Sequence, residues 1–190
     1  MKRQHGFTLV ELLVTLIIIA IVAMFGAPSF RNVMVNSQID SNLNSVRSSL
    51  IYARSEAVSK SRFITVCMSA DGQTCVNAGA ADWGTAGWIV WHDRDNDGVF
   101  EDNANADLCE LDLDDCILRV FGPLEGDSTM VEANGLYRVV FSPQGQLNIP
   151  AAGGVEFSMQ ISNCGEGQER DITISRVGRT TTSQGDACDA

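Results

Sequence analysis

Positive charge and histidine are both scarce in this chain. Its 190 residues carry 13 Lys and Arg against 24 Asp and Glu, a formal charge of −11, with two histidines. So acidic a protein disfavours nucleic acid, whose affinity comes mainly from neutralised phosphates. No nucleophile-elbow glycines, HExxH pair or phosphate loop is present. His92 lies in a strand-like run between Trp91 and Asp93, a setting that suits a strand-end side chain better than a base. Repeats and low-complexity tracts are absent too. These absences argue against an enzyme.

What is present begins at the N-terminus. A polar stub, Met1 to Gly6, contains Lys2 and Arg3, and the run from Phe7 to Phe30 that follows is apolar and uncharged except for Glu11. A helix needs roughly 20 residues to cross a bilayer, so this run is long enough. Lys2 and Arg3 place the stub on the cytoplasmic side. A carboxylate inside such a segment is expensive, so Glu11 is a functional residue with a partner to be found. Gly26 and Pro28 weaken or kink the helix, because proline lacks an N–H and clashes with the preceding turn. A secretory signal fits poorly, since it carries no acid at the head of its apolar region and ends in small residues.

Beyond Pro28 the helical period continues. Ile39, Leu43, Val46, Leu50, Ala53 and Ala57 recur at steps of three and four, while Asn36, Ser37, Asp40, Asn42, Asn44 and Ser48 fill much of the remainder. From Phe63 the pattern becomes strand-like, in runs at Phe63–Cys67, Trp88–His92, Ile117–Phe121, Leu136–Ser142, Val155–Ile161 and Asp171–Val177. Turn formers separate them, as in Ser142-Pro143-Gln144-Gly145. Trp88 and Trp91, at odd spacing, point to opposite sheet faces, one into the core and the other partly exposed at a subunit contact. Trp83 falls in a Gly/Ala-rich loop.

Acidity concentrates in residues 93–116, with ten acids and one base, Arg94. Within it, Asp93-Arg94-Asp95-Asn96-Asp97-Gly98 reproduces positions one, three, five and six of a calcium loop. Val99 offers a carbonyl at position seven, but Ala104 stands where a bidentate acid belongs, so Glu101 or Asp102 would have to substitute. The flanks do not read as the two helices of an EF-hand. Calcium on Asp93, Asp95 and Asp97 therefore stands beside the alternative of a solvated hairpin tip rich in turn formers. No other cofactor is expected.

The segment Gly6-Phe7-Thr8-Leu9-Val10-Glu11-Leu12-Leu13 resembles the processing site of type IV pilins and the pseudopilins of type II secretion. That resemblance implies cleavage by a prepilin peptidase between Gly6 and Phe7, followed by N-methylation of Phe7. It also implies that Glu11 meets the terminal amine of a neighbouring subunit and so sets the register of assembly. Further along, Ala53-Arg54-Ser55-Glu56-Ala57, a Cys-bounded Asp71-Gly72 loop, Gly87-Trp88-Ile89-Val90, Ile117-Leu118-Arg119, Phe141-Ser142-Pro143-Gln144-Gly145 and Gly178-Arg179 look like the minor-pilin group that includes GspH, FimT and FimU. The group implies a low-copy subunit near a filament tip, in a type IV pilus or a type II secretion pseudopilus.

The fold implied is α+β: a long N-terminal helix, transmembrane and kinked near Pro28, packed on an antiparallel β-sheet head. Its parts are a leader at 1–6, a transmembrane helix at 7–30, an amphipathic continuation at 31–62 and a disulfide-stabilised β-rich head at 63–190. The expected location is the bacterial inner membrane with the head in the periplasm, and then the filament. Expected partners are other pilin or pseudopilin subunits, the prepilin peptidase, the inner-membrane assembly platform and membrane lipid. All six cysteines lie in the head, on the oxidising side of that membrane. Closeness in sequence favours Cys67 with Cys75, Cys109 with Cys116 and Cys164 with Cys188, though other connectivities stay open. DNA uptake at the filament tip is the alternative function. Pilins of the FimT type that capture DNA resemble one another in a second arginine two residues after the first, where this chain has Thr181. Arg170, Arg176 and Arg179 also sit among Glu166, Glu169, Asp171, Asp186 and Asp189.

Overall fold

A computed structural model of the chain describes residues 7–76, 82–100, 115–148, 154–162, 164 and 167–185, with the side chains of 25–29 and 31 excepted. Residues Leu9–Lys60 form one helix, α1, which continues through Pro28. Met1–Ser37 and Gln38–Ala190 are separate compact units.

Among the described residues of the first unit, the apolar side chains of α1 are exposed. Leu9, Leu12, Leu16, Ile19 and Met24 are all at least half exposed, as are Val10, Ile17 and Val22 on the other faces of the helix. Among the described residues no helix is long and apolar enough to cross a membrane. The apolar stretch whose side chains are described stops at Met24, short of the roughly 20 residues a span requires. The expected span at 7–30 extends past that point.

In the second unit the predicted stripe is the buried face of α1. Ile39, Val46, Leu50, Ala53 and Ala57 are buried, and Leu43 is half-buried. Asn42, assigned by its polarity to the outer face, is instead 4% exposed. Its amide donates to the Glu125 carbonyl at 2.9 Å and to Ser128 Oγ at 2.7 Å, and its oxygen accepts from the Glu125 N–H at 3.3 Å. Because its polar atoms have partners, it is tolerated inside. Ser61 ends the helix by taking a φ of 53°, which lets the Arg62 N–H reach the Ala57 carbonyl at 3.1 Å.

The strands are β1 (Phe63–Met68), β2 (Trp88–Asp93), β3 (Cys116–Phe121), β4 (Ser128–Glu132), β5 (Arg138–Phe141), β6 (Val155–Ile161), β7 (Arg170–Ile174) and β8 (Thr180–Gln184). A one-turn helix, α2 (Trp83–Ala86), precedes β2. Among the described residues the strands form two antiparallel sheets of four, in the orders β3-β2-β1-β5 and β4-β6-β7-β8. Val46, Ser49 and Leu50 of α1 share one apolar space with Val66 and Trp88 of the first sheet and Met130 and Phe157 of the second.

Two strands escaped the sequence reading, each for a physical reason. The inward positions of β4 include Ser128 and Glu132, polar residues buried with hydrogen-bond partners, so the apolar alternation is broken. In β8 the run TTTSQ has no apolar residue at all, and it is held by its ladder to β7. The expected strand to Val177 ends at Ile174, where a turn bends back at Gly178.

All three tryptophans are buried, so none is the partly exposed contact residue expected. Trp88 faces α1 and donates from Nε1 to Ser49 Oγ at 2.9 Å. Trp91 faces the other way, where Cys67, Cys75, Phe100 and Ile117 pack over it. Cys67 and Cys75 are joined, as their closeness suggested, so the disulfide loop roofs the second face of the sheet. Cys116 and Cys164 are also disulfide-bonded, while Cys109 and Cys188 lie outside the described residues.

Arg54 ties the layers together. Its Nε donates to the Gly145 carbonyl at 2.9 Å and its Nη2 to the Val177 carbonyl at 3.0 Å, linking α1 to the turns that follow β5 and β7. Those turns meet each other so closely that a Cβ on Gly178 would lie 2.0 Å from the Gly145 carbonyl oxygen, at a backbone φ of +74°. Gly178→Ala should therefore destabilise the head by at least about 2 kcal/mol, through both strain and collision. Arg54→Met, which leaves two carbonyls unpaired, should cost about 1–3 kcal/mol. Denaturant unfolding followed by tryptophan fluorescence measures both; a Gly178→Ala variant as stable as wild type would contradict the packing described.

Candidate functional site

Thr8 stands one residue ahead of α1. Its hydroxyl accepts from the Glu11 N–H at 3.2 Å, and the Glu11 carboxylate accepts from the Thr8 N–H at 3.4 Å. This reciprocal pair is a capping box, which satisfies two N–H groups that the start of a helix leaves open. It also sets the carboxylate at the positive end of the helix dipole. Phe7 is 86% exposed beside it, and Gly6 lies outside the described residues. The sequence carried this signal as Thr and Glu three residues apart. Reading Glu11 only as a carboxylate in an apolar run overlooked it.

The second candidate is the turn after β2. Asp93, Asp95 and Asp97 are brought together as the alternate spacing predicted, with carboxylate oxygens all within 4.8 Å of one another. Asn96 and Gly98 take φ of 61° and 75°, the left-handed region that a tight turn needs. Asn148 holds the turn from outside, donating to Asn96 Oδ1 at 3.0 Å, and Arg138 Nη1 donates to the Asp97 carbonyl at 3.1 Å. Glu101, Asp102 and Ala104 lie outside the described residues. Asp115, 8% exposed, accepts from the Arg94 N–H at 2.9 Å and adds a fourth carboxylate.

Asp93 itself is fully buried and accepts from Thr65 Oγ1 at 3.0 Å. Burial, reinforced by the charges of Asp115 and Asp97, pushes its pKa up to about 6 against the pull of the Thr65 hydroxyl and the Asn96 N–H. Asp71 behaves in the opposite sense. The N–H groups of Thr74 and Gln73 and the Thr74 hydroxyl hold its carboxyl well below the usual carboxylate range.

Residues 42–178 match the family model described as type II transport protein GspH, and residues 1–27 match the prokaryotic N-terminal methylation motif. The chain belongs to the GspH family. Two crystal structures of the type IV minor pilin FimU from Pseudomonas aeruginosa (strain PAO1) have the same fold, with TM-scores of 0.56 and 0.52 and 23% identity in each. They cover 80% and 79% of this chain and 96% and 99% of theirs. No curated protein matches the sequence. As a GspH-family chain with a methylation motif, this is a structural subunit of the minor pilin and pseudopilin kind, which assembles with other such subunits and is anchored at a membrane.

The arginines of the DNA-uptake alternative do not form a patch in this GspH-type head. Arg170 opens β7 and gives its Nη1 to the carbonyls of Gly167 and Glu169, whereas Arg176 and Arg179 lie in the turn beyond the strand's other end.

The Asp93 carboxyl makes stability depend on pH. Its folded pKa is raised, so its protonated form stabilises the fold below the ordinary carboxylate pKa, and that contribution is lost as pH rises to about 6. Asp71 acts below this window, its contribution being present above the ordinary carboxylate range and lost as pH falls through it. In buffer free of divalent cations, stability should fall by on the order of 2 kcal/mol between about pH 4.5 and 7. Asp93→Asn should flatten that profile. Unfolding curves across the range measure it, and a fall of equal size in the variant would assign the effect elsewhere.

Proposed function

We propose that this chain is a low-copy subunit placed where a type IV pilus or type II secretion pseudopilus begins to assemble. It enters the bacterial inner membrane through residues 7–30 and holds its head in the periplasm. The prepilin peptidase cuts between Gly6 and Phe7 and N-methylates Phe7. The observation that carries this reading is the Thr8–Glu11 capping box at the head of a helix whose apolar side chains are exposed.

The physical argument runs from that exposure. Bare apolar side chains around a whole helix need cover, which lipid supplies before assembly and neighbouring subunits supply afterwards. Cleavage leaves a cationic amine on Phe7, charged at neutral pH. The cap holds the Glu11 carboxylate at the end of the helix where such an amine arrives, its own or that of a neighbouring subunit. In a low-dielectric surrounding the pair has strong reason to form. Subunits without it would lose the register of addition. The inner-membrane assembly platform and the other subunits are the partners of this step, and the work is positional, with no bond made or broken by the chain itself.

Gly6→Arg should leave the leader attached, while Glu11→Ala should be cut normally yet enter filaments poorly. Mass spectrometry of the membrane-extracted protein and immunoblots of sheared filaments measure the two effects. An intact Met1 terminus on the wild-type protein, or normal incorporation of Glu11→Ala, would sink the proposal.

A further inference from the structure

Clustered acids at a surface turn are common without any ion, so the three carboxylates after β2 do not make a site by themselves. Asp93 supplies what the cluster lacks. It is 0% exposed, one oxygen accepts from Thr65, and the other, Oδ1, has no hydrogen-bond partner. A buried carboxylate oxygen without a partner is costly, because it has lost water and gained nothing. Asp95 and Asp97 each bring a carboxylate oxygen within 4.8 Å of one on Asp93, which raises that cost. Among the described residues no Lys or Arg forms an ion pair with any of the three. Arg138 passes close by, but it donates to a backbone carbonyl and lies over the Tyr137 ring.

We propose that Asp93, Asp95 and Asp97 together bind one calcium ion, with Asp93 Oδ1 as its buried ligand. The turn is already shaped for it. Asn96 and Gly98 carry the left-handed backbone that brings alternate residues to one side, and a Cβ on Gly98 would collide with Arg138 Nη1. Side-chain contacts inside the turn leave the ligand set available: Asp95 Oδ1 accepts from the Asp97 N–H at 3.3 Å and Asp97 Oδ1 from the Val99 N–H at 2.7 Å. Both carboxylates are exposed, so water completes the coordination sphere. Calcium accepts such a mixed and flexible oxygen shell, whereas magnesium demands a tighter octahedron. With calcium bound, the end of β2 and the turn beyond it are joined through the ion.

The test uses the full chain in detergent micelles, stripped with chelator. Its thermal midpoint is read by tryptophan fluorescence in chelator, in calcium and in magnesium. At about 100 times the dissociation constant, calcium should raise the midpoint by roughly 5–10 °C, and magnesium far less. Equilibrium dialysis should find one calcium per chain. Asp95→Ala removes the ligand oxygen at the cost of one long exposed bond from the Asp97 N–H at 3.3 Å, so its midpoint in chelator should stay close to that of wild type while the calcium response and the bound ion disappear. Identical wild-type midpoints in calcium and chelator overturn the proposal. So does an equal response to magnesium, which would mean screening, or an undiminished calcium response in Asp95→Ala.

Discussion

One guanidinium couples the three layers of the head. Arg54 projects from α1 and pairs with the carbonyls of Gly145 and Val177, each in a turn that closes a different sheet. Through it the helix fixes where the first sheet ends relative to the second. The contact between those turns leaves room for no side chain at Gly178, and the Leu147 N–H adds a backbone bond to the Arg176 carbonyl at 3.0 Å. Arg54, Ser142 to Gly145 and Gly178 are far apart in sequence and converge at one point. That convergence gives a physical reason for three of the family marks scattered along the chain.

A second constraint is the double burial of β2. Every residue of that strand is buried, one face by α1 and the other by the Cys67–Cys75 loop with Phe100 and Ile117. Phe100 meets Trp91 edge-on at 5.5 Å, so a large aromatic surface is removed from water on the side away from the helix. Asp93 is the last residue of the same strand and is paired with Phe63 in the β1 ladder. It is buried because the strand is, and from there the acids of the following turn surround it. The unusual electrostatics of the turn are thus a consequence of how the sheet is covered.

The N-terminal unit obeys a different logic. Its helix is apolar on all sides and exposed, so its order comes from backbone hydrogen bonds and from the cap formed by Thr8 and Glu11. Glu11 thus has a role within its own chain as well as the one proposed towards other subunits. A single residue serves both because the first turn of a helix is where unpaired N–H groups and an incoming amine present the same sign of charge.

Much of this was legible in the sequence. The apolar run, the acid within it, the stripe from Ile39 to Ala57, six of the strands and the grouping of Asp93, Asp95 and Asp97 all follow from local spacing. The family followed from short motifs read in order. Long-range geometry was not legible. Asn42 is polar by type and buried by circumstance, because its partners Glu125 and Ser128 arrive from far along the chain. β8 has no apolar period and exists because β7 offers it a ladder. One of Trp88 and Trp91 was expected to be partly exposed, and nothing local announces that a disulfide loop will cover Trp91. Local spacing determines what a segment can become, for it acts through neighbours three or four residues away. Only the tertiary structure decided which polar groups were buried with partners, and which carboxylate oxygen was buried without one.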